Sequence, residues 1–285
     1  MIFDFHTHAD YADGESSATE MIEAAIAKGL KVLGFAEHHP RHPDFRYRDD
    51  PRGEVRGLAT WPNYIAEIDL LKKQYDGKIE ILKGSEFDWL SPEHLDEWRK
   101  WRAETDWDYI IGSVHYIGHW GFDYLEDWDR RHEIPELKEK KGILDYDSME
   151  QIYAAYYRSV QEMVESASDL FEIVGHLDLI KKFVKDVPAN ATELALPALD
   201  AIAKTDLVVE INSAGWVKAC AEQYPSVEIL RAARERDIPL TLDSDAHSTD
   251  RLAENFEKSK ALAKEVGYSE LICFHQKGER EVIKI

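Results

Sequence analysis

Short apolar runs alternate with amphipathic stretches along almost the whole chain. The runs that predict strands are residues 2–6, 32–36, 79–84, 109–114, 171–175, 207–212, 239–243 and 271–274. Most of them are continuously apolar rather than alternating, which is typical of strands that are buried on both faces. Repeated strand–helix units of this kind predict an α/β fold with a parallel sheet, and their number suits a barrel.

Two of the amphipathic stretches carry clear signals for the start of a helix. Ser17 and Glu20 have the spacing of a capping box, and the helix that they begin is predicted to end at Gly29. A second helix is predicted from about residue 148 to residue 167, with its apolar residues on one face.

Two stretches break the strand–helix alternation. Residues 39–62 are rich in His, Pro, Arg and Asp, and residues 116–147 are rich in Trp, Gly and charged side chains. Both follow predicted strands, so we expect them to form loops at the C-terminal mouth of a barrel, where active sites are usually built. No linker or boundary interrupts the chain, and a single domain over residues 1–285 is predicted.

The charge balance limits the classes of partner. The chain has 35 Lys and Arg against 56 Asp and Glu, a net charge of −21, and no basic run, which argues against a nucleic-acid partner. No apolar run is long enough to span a membrane, and the first residues lack a signal-peptide pattern, so we expect a cytoplasmic protein without a membrane partner. Cys220 and Cys273 are predicted to be apolar filler rather than a disulfide.

Histidine and carboxylate residues follow nearly every predicted strand at its C-terminal end. Taken singly, each has an ordinary explanation as a helix cap or a hydrogen-bonded structural histidine. Their shared position at one end of a parallel sheet favours a metal site instead. The candidate ligands are His6, His8, Asp13, His38, Glu86, His115, His176, Asp245 and His247. Imidazole and carboxylate without thiolate suit Zn, Fe or Mn, and so many ligands predict two to three divalent ions if Glu86 bridges.

The same segments resemble the motifs of the polymerase and histidinol phosphatase (PHP) family. They are His6-Thr7-His8, Glu37-His38, Gly84-Ser85-Glu86, Ser113-Val114-His115, Gly175-His176-Leu177-Asp178 and Asp245-Ala246-His247. They occur in order from residue 6 to residue 247. With Asp13-Gly14 and Glu210-Ile211-Asn212-Ser213 added, the chain is similar to the stand-alone histidinol-phosphate phosphatase type.

The resemblance implies a fold and a division of the ligands. The implied fold is a distorted (β/α)₇ TIM-like barrel with a site for three metal ions. The implied sets are His6, His8, Glu86 and Asp245 for the first ion, Glu86, His115 and His176 for the second, and Asp13, His38 and His247 for the third.

The implied activity is hydrolysis of L-histidinol phosphate to L-histidinol and phosphate in histidine biosynthesis. A metal-bound hydroxide would attack phosphorus without a protein nucleophile, in a site set up by Glu86, Asp245 and His247. The expected substrate contacts are acidic residues for the ammonium group, aromatic residues for stacking, and an arginine for the phosphate. The candidates are Asp88, Asp123, Trp89, Tyr116, Trp120 and Arg158, with Lys181 and Lys182 as weaker ones.

Three alternatives stay open at this point. The first is a PHP-type nucleotidase or nucleic-acid-end phosphoesterase on the same scaffold. The second is an amidohydrolase-type deacylase, which also opens with a His-x-His pair but commonly bridges its metals with a modified lysine, where this chain has Glu86. The third is a metal-binding domain without catalytic activity. The other histidines are interpreted as surface residues or as residues behind the ligands: His39, His42, His94, His119, His132 and His275.

Overall fold

Parallel strands form two sheets in the computed structural model, which describes residues 1–40, 42, 45, 51–129 and 148–285, with side chains left out at 51–59 and 126. The three-stranded sheet has the order β1–β2–β3, and its strands are Phe3–Asp4, Val32–Phe35 and Glu80–Lys83. The five-stranded sheet has the order β10–β9–β8–β5–β4. In chain order its strands are β4 Glu86–Asp88, β5 Ile111–Ser113, β8 Ile173–Val174, β9 Val208–Asn212 and β10 Leu240–Asp243. The prediction of an α/β fold with parallel strands is confirmed.

Single backbone bridges connect the two sheets. Thr7 pairs in parallel with Ala246, one beyond β1 and the other beyond β10. His38, beyond β2, pairs in parallel with Glu86 at the start of β4. Thr7, Ala246 and His38 lie past the C-terminal ends of strands, and Glu86 follows β3 closely, so the bridges bring these positions to one place.

Helices separate the strands, as the alternation predicts. They are α1 Ala18–Ala27, α2 Pro51–Gln74, α3 Leu95–Arg102, α4 Leu125–Asp129, α5 Met149–Ala167, α6 Ala191–Ile202, α7 Val227–Arg234 and α8 Phe256–Glu265. The capping box of α1 is present, because the Ser17 hydroxyl accepts from the Glu20 amide and the Glu20 carboxylate accepts from the Ser17 amide. The Ser148 hydroxyl likewise accepts from the Gln151 amide and caps α5.

The first predicted mouth loop is only partly a loop. Residues 39–62 were expected to be irregular because of their Pro, Arg and Asp content, yet α2 begins at Pro51 and runs through this stretch. Proline suits the first position of a helix, where its missing amide hydrogen removes no helical hydrogen bond. Helical propensity in the sequence that follows then extends the helix to Gln74.

The second predicted mouth loop also contains regular structure. Tyr116–Ile117 (β6) and Trp120–Gly121 (β7) pair as an antiparallel hairpin, and α4 follows them. The rest of this stretch, residues 130–147, lies outside the described residues.

The last predicted strand does form, but it lies outside the parallel sheets. Glu270–Phe274 (β11) pairs antiparallel with Arg280–Lys284 (β12), a short and mostly exposed strand that the apolar pattern did not reveal.

Cys220 and Cys273 are both free, as expected. Within the described part of the chain, no helix is both long and apolar enough to cross a membrane.

A buried tyrosine explains two glycines near the strand ends. A Cβ atom at Gly34 or Gly84 would lie 2.4 Å from the nearest atom of Tyr109, whose hydroxyl donates to the carbonyl of Phe5. Only glycine leaves room for this ring between β2 and β3. The glycine of the Gly84-Ser85-Glu86 motif is therefore a packing requirement next to the site.

Candidate metal centre

The predicted ligands converge at the C-terminal ends of the parallel strands. His6 and His8 follow β1, His38 follows β2, and Glu86 comes shortly after β3. The remaining candidates after β5, β8 and β10 are His115, His176, Asp245 and His247. The exposed fraction of the side chains rises from 0% at His6 to 36% at His247, so the group runs from the interior to the surface.

Glu86 lies at the centre of this group. One carboxylate oxygen, Oε2, lies 3.3 Å from His6 Nε2 and 2.9 Å from His38 Nδ1. The other, Oε1, lies 2.8 Å from His176 Nε2 and 3.5 Å from His115 Nε2. The two oxygens of one carboxylate therefore face two different sets of imidazoles, which is the arrangement that a bridging ligand requires.

Two aspartates complete the outer part of the group. Asp245 Oδ1 lies 3.3 Å from His8 Nε2 and 3.6 Å from His247 Nδ1. Asp13 Oδ2 lies 3.4 Å from His247 Nε2 and 3.6 Å from His38 Nε2. The donor atoms form three sets whose members lie within 4.8 Å of one another: His8, Asp13, His38 and His247; His6, Glu86 and His176; and His6, His8 and Asp245.

The distances and the buried ring nitrogens fit divalent ions. His6 Nε2 and His8 Nε2 are buried and make no hydrogen bond within the described structure, although carboxylate oxygens of Glu86 and Asp245 lie 3.3 Å from them. Two ligands that share a tetrahedral zinc at about 2.0–2.1 Å are separated by about 3.3–3.4 Å. A buried, unpaired ring nitrogen is costly, and coordination would remove that cost.

The imidazoles also keep the central carboxylates ionised. Burial alone would raise the pKa of Glu86, but the charges of His6 and His115 outweigh it and hold this pKa well below its ordinary value. For Asp245, burial is likewise outweighed by His6 and by its contact with His8, and its pKa is also well below the ordinary value. Protonated imidazoles thus favour the ionised form of both carboxylates, and divalent ions, which need neutral imidazoles, would supply the positive charge in their place.

A buried carboxylate on β9 orients the innermost ligands. Glu210 Oε1 lies 2.7 Å from His6 Nδ1, and its Oε2 accepts from the amide of His176 at 2.5 Å and from Asn212 Nδ2 at 3.2 Å. Because a carboxylate only accepts, His6 Nδ1 carries the proton and Nε2 keeps its lone pair for an ion. The sequence signal for this role is a glutamate inside an otherwise apolar strand, in the segment Glu210-Ile211-Asn212-Ser213, whose role the sequence alone did not indicate.

Loss of this carboxylate charge is expected to weaken metal binding. We expect Glu210→Gln to lower the affinity for zinc by roughly ten- to a hundredfold, because His6 loses the acceptor that fixes its tautomer and ring orientation. Competition with a chromophoric chelator measures this affinity, with the exposed Glu228→Gln as the charge-matched control. An unchanged affinity in Glu210→Gln would contradict the orienting role.

Asp88 lies behind a candidate ligand. Its Oδ1 is 2.5 Å from His115 Nδ1, the same relation that Glu210 has to His6. Asp178, the last residue of the Gly175–Asp178 motif, accepts from the Tyr157 hydroxyl at 2.7 Å and pairs with Lys181 Nζ at 2.9 Å. This motif residue therefore holds the loop after β8, and Lys181 is already paired in the interior.

The other predicted substrate contacts lie at varied positions. Trp120 is fully buried, its indole nitrogen donates to the carbonyl of Asp127, and Trp89 is buried against Trp98. Tyr116 is buried beside Phe45. These rings are enclosed by protein and serve as packing in this structure.

Two predicted contacts remain near solvent. Asp123 is 15% exposed and lies 3.5 Å from Lys182 Nζ, while Arg158 is on the exposed face of α5. Their substrate contacts, like those of Asp88, Tyr116 and Trp120, stay predictions.

A cleft beside the outer ligands contains cationic residues that the sequence analysis missed. It has a volume of about 690 Å³, and its lining includes Asp245, His247, Lys218 and Arg251. Burial and the nearby charge of Lys182 lower the pKa of Lys218. Lys218 lies just beyond β9 and Arg251 just beyond the Asp245–His247 segment, so both belong to loops at strand ends.

Comparison with known proteins identifies the family. The family model described as the PHP domain matches residues 4–214. A probable histidinol-phosphatase of Deinococcus radiodurans is 36% identical over 279 residues, which cover 96% of this chain and 97% of the relative. The histidinol-phosphatase of Bacillus subtilis is 30% identical over 256 residues, which cover 86% of this chain and 92% of the relative.

Solved structures show the same fold. The crystal structure of histidinol phosphate phosphatase from Lactococcus lactis subsp. lactis, in complex with zinc, L-histidinol and phosphate, matches with a TM-score of 0.77 and 23% identity. The match covers 98% of each chain. The extent of the family match and the identity to curated relatives show that this chain belongs to the PHP domain family.

Proposed function

We propose that this protein hydrolyses L-histidinol phosphate to L-histidinol and phosphate, as a phosphoric monoester hydrolase of histidine biosynthesis. The observation that carries the proposal is the Glu86-centred group of imidazoles and carboxylates, in a chain that aligns with 97% of a probable histidinol-phosphatase. No Ser or Cys nucleophile is needed for this chemistry.

The metal ligands are part of the proposal. We assign them as the resemblance to the family implies, with two to three divalent ions of zinc, iron or manganese. His6, His8, Glu86 and Asp245 hold the first ion, Glu86, His115 and His176 the second, and Asp13, His38 and His247 the third. The donor-atom groups differ in part, since they also put His8 with the third set and His6 beside His176. The facing of the two Glu86 oxygens toward different imidazoles supports its place as the bridge.

The cleft beside the outer ligands is where the substrate phosphate would bind. When bound, divalent ions supply Lewis acidity toward phosphate oxygens and activate water. Asp245 and His247 lie between the buried ligands and the cleft, so a phosphate that enters the cleft meets them first. Lys218 is a cation on the cleft wall that can pair with a phosphate dianion, whereas Arg251 already pairs with Glu254 at 2.6 Å and the lining also includes Glu15 and Asp250.

The cleft predicts a binding role for Lys218. We expect Lys218→Met to raise KM for L-histidinol phosphate about tenfold with a smaller change in kcat, because one charge-assisted contact is lost. Steady-state kinetics checks this, with Lys264→Met on the exposed side of α8 as the control. Equal KM values for the two variants would remove Lys218 from the binding site.

A substrate panel tests the function itself. Zinc-loaded and manganese-loaded protein would be assayed with L-histidinol phosphate, nucleoside monophosphates, short oligonucleotides with terminal phosphates, and an N-acyl amino acid. We expect kcat/KM to be highest for L-histidinol phosphate. Faster turnover of a nucleotide, or hydrolysis of the amide alone, would overturn the proposal in favour of a nucleotidase or a deacylase.

We also infer that the parallel strands close into one distorted (β/α)₇ barrel in a single domain over residues 1–285. The support is that Thr7–Ala246 joins the edges at β1 and β10, and that His38, beyond the central strand β2, pairs with Glu86 at the start of the edge strand β4. β3 and β4, separated only by Gly84 and Ser85, then count as one interrupted strand of the barrel.

A further inference from the structure

A group of two histidines and a glutamate lies outside the strand-end ligands. His42 follows β2, His94 precedes α3, and Glu97 is in the first turn of α3. One donor atom from each lies within 4.8 Å of the others. His42 Nε2 is 3.6 Å from Glu97 Oε1, and the two imidazole rings are 4.9 Å apart between centroids.

Glu97 has a carboxylate oxygen that lacks a partner. Its Oε2 atom is shielded from solvent and makes no hydrogen bond in the described part of the chain. The other oxygen, Oε1, faces His42. A shielded carboxylate oxygen without a donor is unfavourable, and a cation at this position would satisfy it.

The surroundings prepare His94 to act as a ligand. His94 Nδ1 lies 2.9 Å from the Ser91 hydroxyl. When this hydroxyl accepts from Nδ1, the lone pair is on Nε2, which is how metal-binding histidines are usually oriented. Phe45, which is only 4% exposed, packs edge-on against both imidazoles and limits the access of water. The Glu97 side chain as a whole is 38% exposed, so the shielding applies to its Oε2 atom, where the attraction to a cation is strengthened.

We propose that His42, His94 and Glu97 bind a zinc ion, separate from the ligands around Glu86. Two imidazoles and one carboxylate are a ligand set that zinc takes, with a fourth position left for water. The ion would join His42, which follows β2, to His94 and Glu97 at the start of α3. The proposal does not depend on the phosphatase activity.

Zinc stoichiometry tests this site. The full-length protein would be saturated with zinc, dialysed against buffer with a low micromolar concentration of free zinc, and analysed by mass spectrometry for bound metal. We expect Glu97→Gln and His94→Ala each to bind one zinc fewer than the unmodified protein. The sequence alone predicts that His94→Ala leaves the metal content intact. Because the three donor atoms lie close together, we instead expect this variant to lose one zinc ion.

Controls separate loss of the site from loss of the fold. Asp96→Asn, on the exposed side of the same turn of α3, is expected to keep the full zinc content. Cobalt absorption spectra would show the loss of one site in Glu97→Gln, and circular dichroism would show that the variant is folded. We expect phosphatase activity at saturating zinc to stay within about twofold. Equal zinc content in Glu97→Gln and the unmodified protein, or an equal loss in Asp96→Asn, would overturn the proposal.

Discussion

Replacement of Glu86 by glutamine is expected to remove bound metal and nearly all phosphatase activity together. Both carboxylate oxygens face imidazole nitrogens, at 2.8 Å on the side of His176 and 2.9 Å on the side of His38. Glutamine keeps the shape of the side chain but replaces one oxygen by an NH₂ group, which cannot coordinate an ion. We expect kcat/KM to fall about a thousandfold, which corresponds to about 4 kcal/mol.

Glutamine is preferred to alanine because it tests the charge without opening a cavity at a residue that is 1% exposed. The exposed Glu93→Gln is the matched control and should retain both metal and activity. Measurement of metal content on the same samples as the kinetics is essential. A Glu86→Gln protein that keeps its full metal content and hydrolyses L-histidinol phosphate at the normal rate would show that Glu86 is not the bridge.

The candidate ligands at the C-terminal ends of strands could be predicted from the sequence. His6, Glu86 and His176 each lie at or just after the end of a predicted strand, and parallel strands bring such positions together. Residues that are far apart in sequence but share a position at the ends of parallel strands are thus predicted to be neighbours in space. The same reasoning gave the strand positions to within a few residues.

Residues that support the ligands were harder to predict. Glu210 and Asp88 have roles that depend on which imidazole nitrogen faces which strand, and no sequence spacing encodes that contact. Lys218 enters the cleft from a loop whose path is set by packing. Trp120, a predicted substrate contact, is fully buried in the structure, and the burial of its indole ring was not predicted.

Removal of metal by chelation is expected to inactivate the protein and to lower its melting temperature. Ions that bind only the folded state raise the free energy of unfolding by RT ln(1 + [L]/Kd). This is about 4 kcal/mol when the free ion concentration exceeds Kd a thousandfold. After their removal, the buried nitrogens of His6 and His8 and the carboxylate of Glu86 have no cation between them. We expect added zinc or manganese to restore activity and melting temperature in parallel.

The exposure of the ligands further predicts two phases of release. The side chains of Asp13 and His247 are 35% and 36% exposed, whereas those of His6 and Glu86 are 0% and 1% exposed. An ion held by Asp13, His38 and His247 is open to solvent and to a competing chelator, so it should leave first. An ion between His6 and Glu86 must wait for the surrounding strand ends to open.

Metal content and activity, measured over time in a chelator, distinguish these phases. The Glu97→Gln protein is the best sample, since it removes any contribution from the group of His42, His94 and Glu97. We expect one fast loss of metal, then a slow loss that coincides with the fall in melting temperature, because the buried ion connects residues that follow β1, β3 and β8. Release in a single phase would mean that the inner and outer ligands exchange as one unit, and full activity without metal would rule out the proposed mechanism.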